Sequence, residues 1–439
     1  MSQPTTAAVE TLGCKVNQYE SAYFLELLTD AGYRIVPFRE GAGVFVVHSC
    51  AVTAKAAFQT RQLLRRAQRQ NPEATIVVAG CNAQMEPGRF AKECLATHIL
   101  GTQEKFDLLD FLQRPGSFSS PVMGISDPRT CTTFRAAPLR DLRTGRARAF
   151  VKVQDGCDAF CTYCVVPLTR GKSRSLPPQE VGRQITRFAE RGFNEVVVTG
   201  IHLGQWGTDL DPARGLSQLL CFLNEVPVPP RIRLSSLEPM EMTPTLLQDL
   251  ARYPWICPHF HVPLQSGDAE ILARMGRPYS PYHYADVILA LRSLHPEASI
   301  GADVMVGFPG EGDRHFQNTC DLVARLPLTY LHVFPFSPRP GTPAAFWPDR
   351  GEGQELRRRV RHLRELGLSK KNDFQSRFVK KQVRALVESR LHGEWWQGTS
   401  DNYLKIRFSS KKELTAGLIV KVHCEQAEDG GLVGRVQSV

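Results

Sequence analysis

The sequence has no long apolar run and no leader-like start. Its longest hydrophobic stretches, such as residues 44–47 and 75–79, fall far short of the roughly 20 residues a membrane-spanning helix needs. The opening Met1-Ser2-Gln3-Pro4-Thr5-Thr6 lacks the basic start and apolar core of a secretory signal. Both absences lead to the expectation of a cytoplasmic protein with no membrane partner. Acidic residues are outnumbered by basic ones, 44 against 54, for a net charge of +10. That surplus favours an acidic partner, nucleic acid ahead of a lipid surface, because no lipid-binding amphipathic stretch stands out. No short-period repeat is present, which argues against a solenoid. Cysteine is not scarce. Twelve of them in a reducing compartment point to metal or catalysis rather than disulfides.

At 439 residues the chain is long enough for two or three domains. Strand and helix patterns alternate over residues 1–114, as in a parallel α/β sheet. Strands are expected at 7–12, 44–47 and 75–79, with Asn17 capping one helix, which ends at Gly32, and Thr53 opening another through Gln70. Turn-rich sequence from 114 to 121 marks the start of a linker, placed at 115–145. Alternation resumes over 146–375. Strands at 149–153, 195–199, 231–234, 259–264, 300–306 and 331–336 make six βα units that curl into a partial (β/α)6 barrel. A basic helical stretch, 354–381, leads to residues 376–439. There, short strands with glycine breaks at 382–388, 393–399, 404–408, 418–425 and 432–436 read as a small all-β barrel, a form that often carries single-stranded nucleic acid.

Two cysteine trios carry the chemistry. Cys157, Cys161 and Cys164 follow a predicted strand with CxxxCxxC spacing, so three thiolates in one loop can hold three irons of a cubane and leave the fourth open. Cys14, Cys50 and Cys81 lie 36 and 31 residues apart, about one βαβ unit each, and each follows a predicted strand. In a parallel sheet their loops share one carboxyl edge, where open α/β sheets bind ligands. The alternatives are three unrelated buried cysteines, or structural zinc, which normally takes a fourth protein ligand. Glycine immediately before Cys14 and Cys81 favours ligation, again of a cluster with one open iron. Cys94, Cys131, Cys221, Cys257, Cys320 and Cys424 show no ligand spacing and are taken as packing residues.

The loop Cys157-Asp158-Ala159-Phe160-Cys161-Thr162-Tyr163-Cys164 resembles the signature of the radical S-adenosylmethionine enzymes. Nearly the whole chain is similar to the methylthiotransferases of that class. The motifs Leu12-Gly13-Cys14-Lys15-Val16-Asn17-Gln18 and Cys50-Ala51-Val52-Thr53 resemble the branch that modifies N6-threonylcarbamoyladenosine next to the tRNA anticodon. Further matches are Ser235-Ser236-Leu237-Glu238-Pro239, His261-Val262-Pro263-Leu264-Gln265-Ser266-Gly267 and Asp303-Val304-Met305-Val306-Gly307-Phe308-Pro309. The C-terminal barrel resembles the RNA-binding TRAM module. One departure is Leu176, where an arginine is common, at the end of the basic run after the loop.

The resemblance implies a methylthio group added at carbon 2 of the modified adenosine. It implies two 4Fe-4S clusters, one on each trio, and S-adenosyl-L-methionine that serves both as methyl source and as radical precursor. No catalytic side chain is required beyond the clusters and the cofactor. Tyr163, Gly200, Ser235, Glu238, Gln265 and Asp303 are the expected cofactor contacts. Arg170, Lys172, Arg174, Lys380, Lys381, Lys405 and Arg407 are the expected RNA contacts, with Arg384, Lys411, Lys412, Trp395, Trp396 and Tyr403 as further candidates on the barrel. The partner is the tRNA anticodon stem-loop, and an electron donor and a sulfur source, neither identified by the sequence, are also needed. Rival readings are isopentenyl-adenosine in tRNA or a ribosomal-protein aspartate as target, and a non-catalytic RNA-binding protein with structural zinc.

Overall fold

Alternation along one buried strand organises the first region of the computed structural model, which describes residues 5–137, 147–428 and 430–438. Strand β3 (Val44–Ser49) is buried at every position, as expected where helices cover both faces of a parallel sheet. Val44 and Val46 join Phe24 and Leu28 of the helix Lys15–Asp30 in one core. Phe45 and Val47 join Leu64 and Ala67 of the helix Ala54–Gln70 in another. The two-residue period of a strand sends successive side chains to opposite faces. With β1 (Thr6–Thr11), β2 (Arg34–Ile35), β4 (Thr75–Gly80), β5 (His98–Leu100) and β6 (Val122–Gly124), β3 forms a parallel sheet in the order β2-β1-β3-β4-β5-β6. Strand β6 thus lies inside the stretch expected as linker, whose residues 138–145 are outside the described set.

Thr53 caps its helix as expected, its hydroxyl accepting from the Ala56 amide at 3.1 Å. Asn17 does not cap. The first helix begins at Lys15 with Cys14 at the cap position. The Asn17 amide instead donates to the carbonyls of Leu12 and Ser49, at 2.7 and 3.2 Å, and joins the ends of two strands.

The central region supplies β7 (Ala149–Asp155), β8 (Arg174–Ser175), β9 (Glu195–Gly200), β10 (Arg231–Leu234), β11 (His259–His261), β12 (Ser299–Val306) and β13 (Tyr330–Pro335). They form two arcs, β10-β9-β7-β8 and β11-β12-β13, with a parallel bridge from Ile232 to Ile256. Strand β11 stops at His261, short of the expected 264, because Pro263 has no N–H to give the ladder. The flanking amides of Val262 and Leu264 still donate to Gly301 and Asp303, at 2.9 and 3.1 Å.

The helix Gly353–Ser376 leads to a closed barrel of β14 (Gln382–His392), β15 (Trp395–Ser400), β16 (Lys405–Ser409), β17 (Ile419–Glu428) and β18 (Gly431–Ser438), in the order β14-β15-β16-β18-β17. Of the adjacent tryptophans, Trp396 enters the barrel core and Trp395 stays partly exposed. Two compact units divide the structure. One takes in the N-terminal sheet with Gln154–Arg174 and Ser337–Phe346, and the other holds the remaining strands and the closed barrel. Among the described residues no helix is long and apolar enough to cross a membrane.

Within the second unit the barrel is held by buried charge. Arg231 and Arg233, two positions apart on β10, share a face of the strand. Arg233 donates to Glu195 at 3.0 Å and to the carbonyls of Asp401 and Ser400 at 3.0 and 3.2 Å. Arg231 donates to the Arg384 carbonyl at 2.9 Å. Arg148 pairs with both Glu195 and Glu388.

Candidate metal centre and cofactor site

Strands β1, β3 and β4 are consecutive neighbours in the first sheet, and Cys14, Cys50 and Cys81 follow their carboxyl ends. The register pairs Ser49 with Gly80, so Cys50 and Cys81 each lie one residue past a matched pair. Adjacent strands run about 4.8 Å apart, which brings residues remote in sequence to one edge. Gly13 and Gly80, just before two of the cysteines, have φ of +103° and +95°. Glycine adopts this region without the strain a Cβ brings. A Cβ on Gly13 would sit 2.8 Å from the Cys50 Cβ. Gly13→Ala is therefore expected to displace Cys50 and lower iron retention at this trio at least about threefold, an effect of order 1 kcal/mol. Iron and acid-labile sulfide assays on the reconstituted chain check this, and unchanged stoichiometry would refute it.

The loop after β7 is built for sulfur. Gly156 has φ of +75°, and a Cβ there would lie 1.8 Å from the Lys172 carbonyl oxygen. The Cys157 amide donates to the Gly171 carbonyl at 3.0 Å, closing the loop. The Ala159 amide points at the Cys157 sulfur at 3.4 Å, and that of Val166 at the Cys164 sulfur at 3.5 Å. An N–H directed at a sulfur can also hydrogen-bond that sulfur when it is a metal-bound thiolate, which suits metal ligation. In the first sheet, burial and the neighbouring Cys81 thiol push the Cys50 thiol up to about 12, so a metal must displace its proton to bind. The donors of both trios fit iron–sulfur clusters.

Arg170 and Arg174, expected on RNA, are buried at 2% and 3% exposure. Arg174 donates to the carbonyls of Arg170 and Lys172, at 2.9 and 3.0 Å. Arg170 bonds to Asn17 and Asp155 at 2.9 Å each, to Glu20 at 3.3 Å, and to the Cys81 sulfur at 3.3 Å. A guanidinium enclosed by these groups has no face for a phosphate. Lys172 alone of that basic run is exposed. Glu20 and Lys105, each fully buried, pair at 2.5 Å in the same network, and His48 lies 3.5 Å from Glu20. No sequence spacing links residues 20, 48, 105, 155 and 170, so only the fold reveals this network.

Of the expected cofactor contacts, Tyr163 is half-buried in the cysteine loop. The other five lie in the second unit. The Gly200 amide, at the end of β9, is 3.4 Å from the Ser235 hydroxyl. Glu238 caps no helix through its side chain; its carboxylate pairs with Arg277. Gln265 holds φ at +64°, rare for a side-chain-bearing residue, and its buried Oε1 has no hydrogen-bond partner among the described residues. Burial opposes charge on Asp303, yet hydrogen bonds from His261 at 3.0 Å and His332 at 3.1 Å hold its carboxyl well below the usual carboxylate range. Sequence reasoning gives these two histidines no role, although each heads a motif that carries the resemblance, His332 that of His332-Val333-Phe334-Pro335-Phe336-Ser337.

On the closed barrel Lys380, Lys381, Lys405 and Arg407 are exposed. Lys381 pairs with Glu297 and Lys405 with Glu388, both at 3.1 Å, and Arg407 pairs with Glu428. Arg384 is held by Asp401 at 2.8 Å. Tyr403 stacks on His259, with ring centroids 4.1 Å apart. Cys94 and Cys221 are exposed rather than packed, whereas Cys257, Cys320 and Cys424 are buried as expected.

Residues 6–101 match the model of an uncharacterized protein family, UPF0004, and residues 151–323 match the radical SAM superfamily. Threonylcarbamoyladenosine tRNA methylthiotransferase MtaB of Bacillus subtilis is 34% identical, with 95% of this chain and 93% of that protein covered. The protein of the same name from Aquifex aeolicus is 36% identical, over 94% and 99%. The tRNA-2-methylthio-N(6)-dimethylallyladenosine synthase of Moorella thermoacetica is 33% identical over 98% of each chain. Among solved structures, the radical S-adenosylmethionine methyltransferase TsrM of Kitasatospora setae superposes with a TM-score of 0.55 at 16% identity, covering 78% of this chain and 75% of that one; this likeness concerns the fold. With its cysteine trios on strand ends, a radical SAM region and relatives matched along almost their whole length, the chain belongs to the threonylcarbamoyladenosine tRNA methylthiotransferase family.

Proposed function

We propose that this chain adds a methylthio group to carbon 2 of N6-threonylcarbamoyladenosine beside the tRNA anticodon. The observation that carries this reading is the placement of Cys14, Cys50 and Cys81 just past the carboxyl ends of three adjacent parallel strands, in a chain that also holds the CxxxCxxC loop. Cys157, Cys161 and Cys164 would hold one 4Fe-4S cluster, and Cys14, Cys50 and Cys81 the other. When bound, these clusters and S-adenosyl-L-methionine supply one-electron radical chemistry and a carrier for sulfur, which no protein acid or base provides.

The chain's own residues bind and orient. Tyr163, Gly200, Ser235, Glu238, Gln265 and Asp303 are proposed to hold the cofactor. The free Oε1 of Gln265 is suited to accept a hydrogen bond from it, because a buried oxygen left unsatisfied is costly. Arg277 fixes the Glu238 carboxylate, while His261 and His332 keep Asp303 ionised. Lys172, Lys380, Lys381, Lys405 and Arg407 are proposed to meet phosphates of the anticodon stem-loop. Those paired with glutamates would exchange a surface ion pair, worth at most about 1 kcal/mol, for a phosphate contact. A cytoplasmic location, an electron donor and a sulfur source complete the proposal.

Nucleoside mass spectrometry of tRNA from a deletion strain tests it. The 2-methylthio-N6-threonylcarbamoyladenosine peak is expected to vanish and to return on complementation. An unchanged peak, in a strain without a second such enzyme, refutes the assignment. Loss of the isopentenyl derivative instead would move the chain to the other tRNA branch, whose Moorella thermoacetica member is nearly as similar.

A further inference from the structure

With a single side chain, Arg170 reaches both cysteine systems of the first unit. It lies six positions after Cys164, on the short helix Val166–Arg170 that ends the CxxxCxxC loop. Its Nη1 bonds Asp155, the residue that precedes Gly156 and so opens that loop. Its Nη2 bonds Asn17, in the first turn of the helix capped by Cys14. Its Nε lies 3.3 Å from the sulfur of Cys81. Glu20 and Asp155, at 3.3 and 2.9 Å, supply the counter-charges that a buried guanidinium needs. A cation with every edge engaged inside the protein binds no RNA, and its burial demands another use.

We propose that Arg170 is a positioning residue for the auxiliary cluster. Its Nε–H holds the Cys81 ligand in place and raises the cluster's reduction potential, while its other nitrogens tie that ligand to the frame of the radical-cluster loop. The inference rests on the reading that Cys14, Cys50 and Cys81 hold a cluster. A hydrogen bond to a ligand sulfur stabilises the more negative, reduced state, and hydrogen bonding is one of the levers that set cluster potentials. The bond is charge-assisted and dry, which strengthens it. Glu20 and Asp155 offset much of the guanidinium's charge at a distance, so the directional N–H···S contact carries the effect. Lysine at this position would keep the charge and lose the planar fork that meets four partners at once.

The test uses the full-length chain with Cys157, Cys161 and Cys164 replaced by alanine, so that any remaining cluster is the auxiliary one. Redox titration followed by electron paramagnetic resonance compares this protein with the same protein carrying Arg170→Lys. The reduced-to-oxidised ratio at fixed potential is expected to fall about tenfold, a drop of about 59 mV for one electron. An unchanged or raised potential, with iron still bound, overturns this inference alone. A second measurement leaves Arg170 intact. With arginine labelled by nitrogen-15, the reduced auxiliary cluster is expected to show hyperfine coupling to a guanidinium nitrogen, and its absence overturns the inference even if the lysine variant fails to fold. Iron missing from the triple variant itself overturns the cluster reading and this inference with it.

Discussion

Cys50→Ala is expected to remove about half of the iron the chain retains after anaerobic reconstitution, from about eight atoms to about four, and to reduce methylthiolated product to background. Cys161→Ala should remove the other half and be equally inactive. Cys50 stands between the strands that carry Cys14 and Cys81, since β3 lies between β1 and β4. Its neighbours cannot supply a substitute ligand. His48 is buried against Ser21 and Glu20, at 2.9 and 3.5 Å, and is held well below the usual histidine range, first by burial and then by the Lys105 charge. Ser49 donates to the Ala79 carbonyl and accepts from the amides of Asn82 and Ala83. The two variants should differ in a second readout. Reductive cleavage of S-adenosyl-L-methionine should survive Cys50→Ala and disappear in Cys161→Ala. Full iron content in either variant, or zinc in place of iron, would sink the two-cluster assignment.

The second large effect concerns stability. Glu195 is fully buried on β9, where burial by itself would raise its pKa. The Arg233 and Arg148 charges outweigh that and hold the carboxyl down from 4.5 to about 2. A depressed carboxyl contributes stability that is complete above the unfolded value and lost as pH falls through the folded one. The window is therefore about pH 4.5 down to 2, and the contribution at neutral pH is of order 3 kcal/mol. Glu195→Gln should cost about that much, because it leaves buried Arg233 without a carboxylate partner and removes one of the two carboxylates that pair with each of Arg148 and Arg231. Arg233 also holds the carbonyls of Ser400 and Asp401, so barrel strand β15 and the turn after it should loosen first. Unfolding midpoints of wild type and variant at pH 7 and pH 3 check both points. The gap should be wide at pH 7 and narrow at pH 3, and a gap that does not depend on pH would show that Glu195 is not the ionised centre of this cluster.

Much of this architecture is legible in the amino-acid sequence, because local patterns carry it. Valine-rich runs bounded by glycine form β3 and β4, and Thr53 caps its helix through a bond that depends only on residues three apart. The CxxxCxxC loop needs no distant contact to be recognised, and the 36- and 31-residue intervals of the other trio follow from repeated βαβ units. Boundaries move where a single residue intervenes, as Pro263 does in ending β11. The cap at Cys14 escapes a local reading because Asn17 is drawn away by the carbonyls of Leu12 and Ser49, and Ser49 is 32 residues distant.

Charge is where local reasoning fails. Arg170-Gly171-Lys172-Ser173-Arg174 reads as one basic run, yet only Lys172 faces solvent. The partners that bury Arg170 come from residues 17, 20, 81 and 155, which no periodicity connects. The sequence by itself determined the longer strands, the two cysteine trios and the family, because each depends on short spacings or strand-length repeats, whereas the short strands β2, β5, β6 and β8 escaped it. Tertiary structure alone decided which cations reach solvent and which, like Arg170, sit buried beside the Cys81 sulfur. A buried charge is stable only where the fold gathers its counter-charges, and such gathering leaves no trace in linear order.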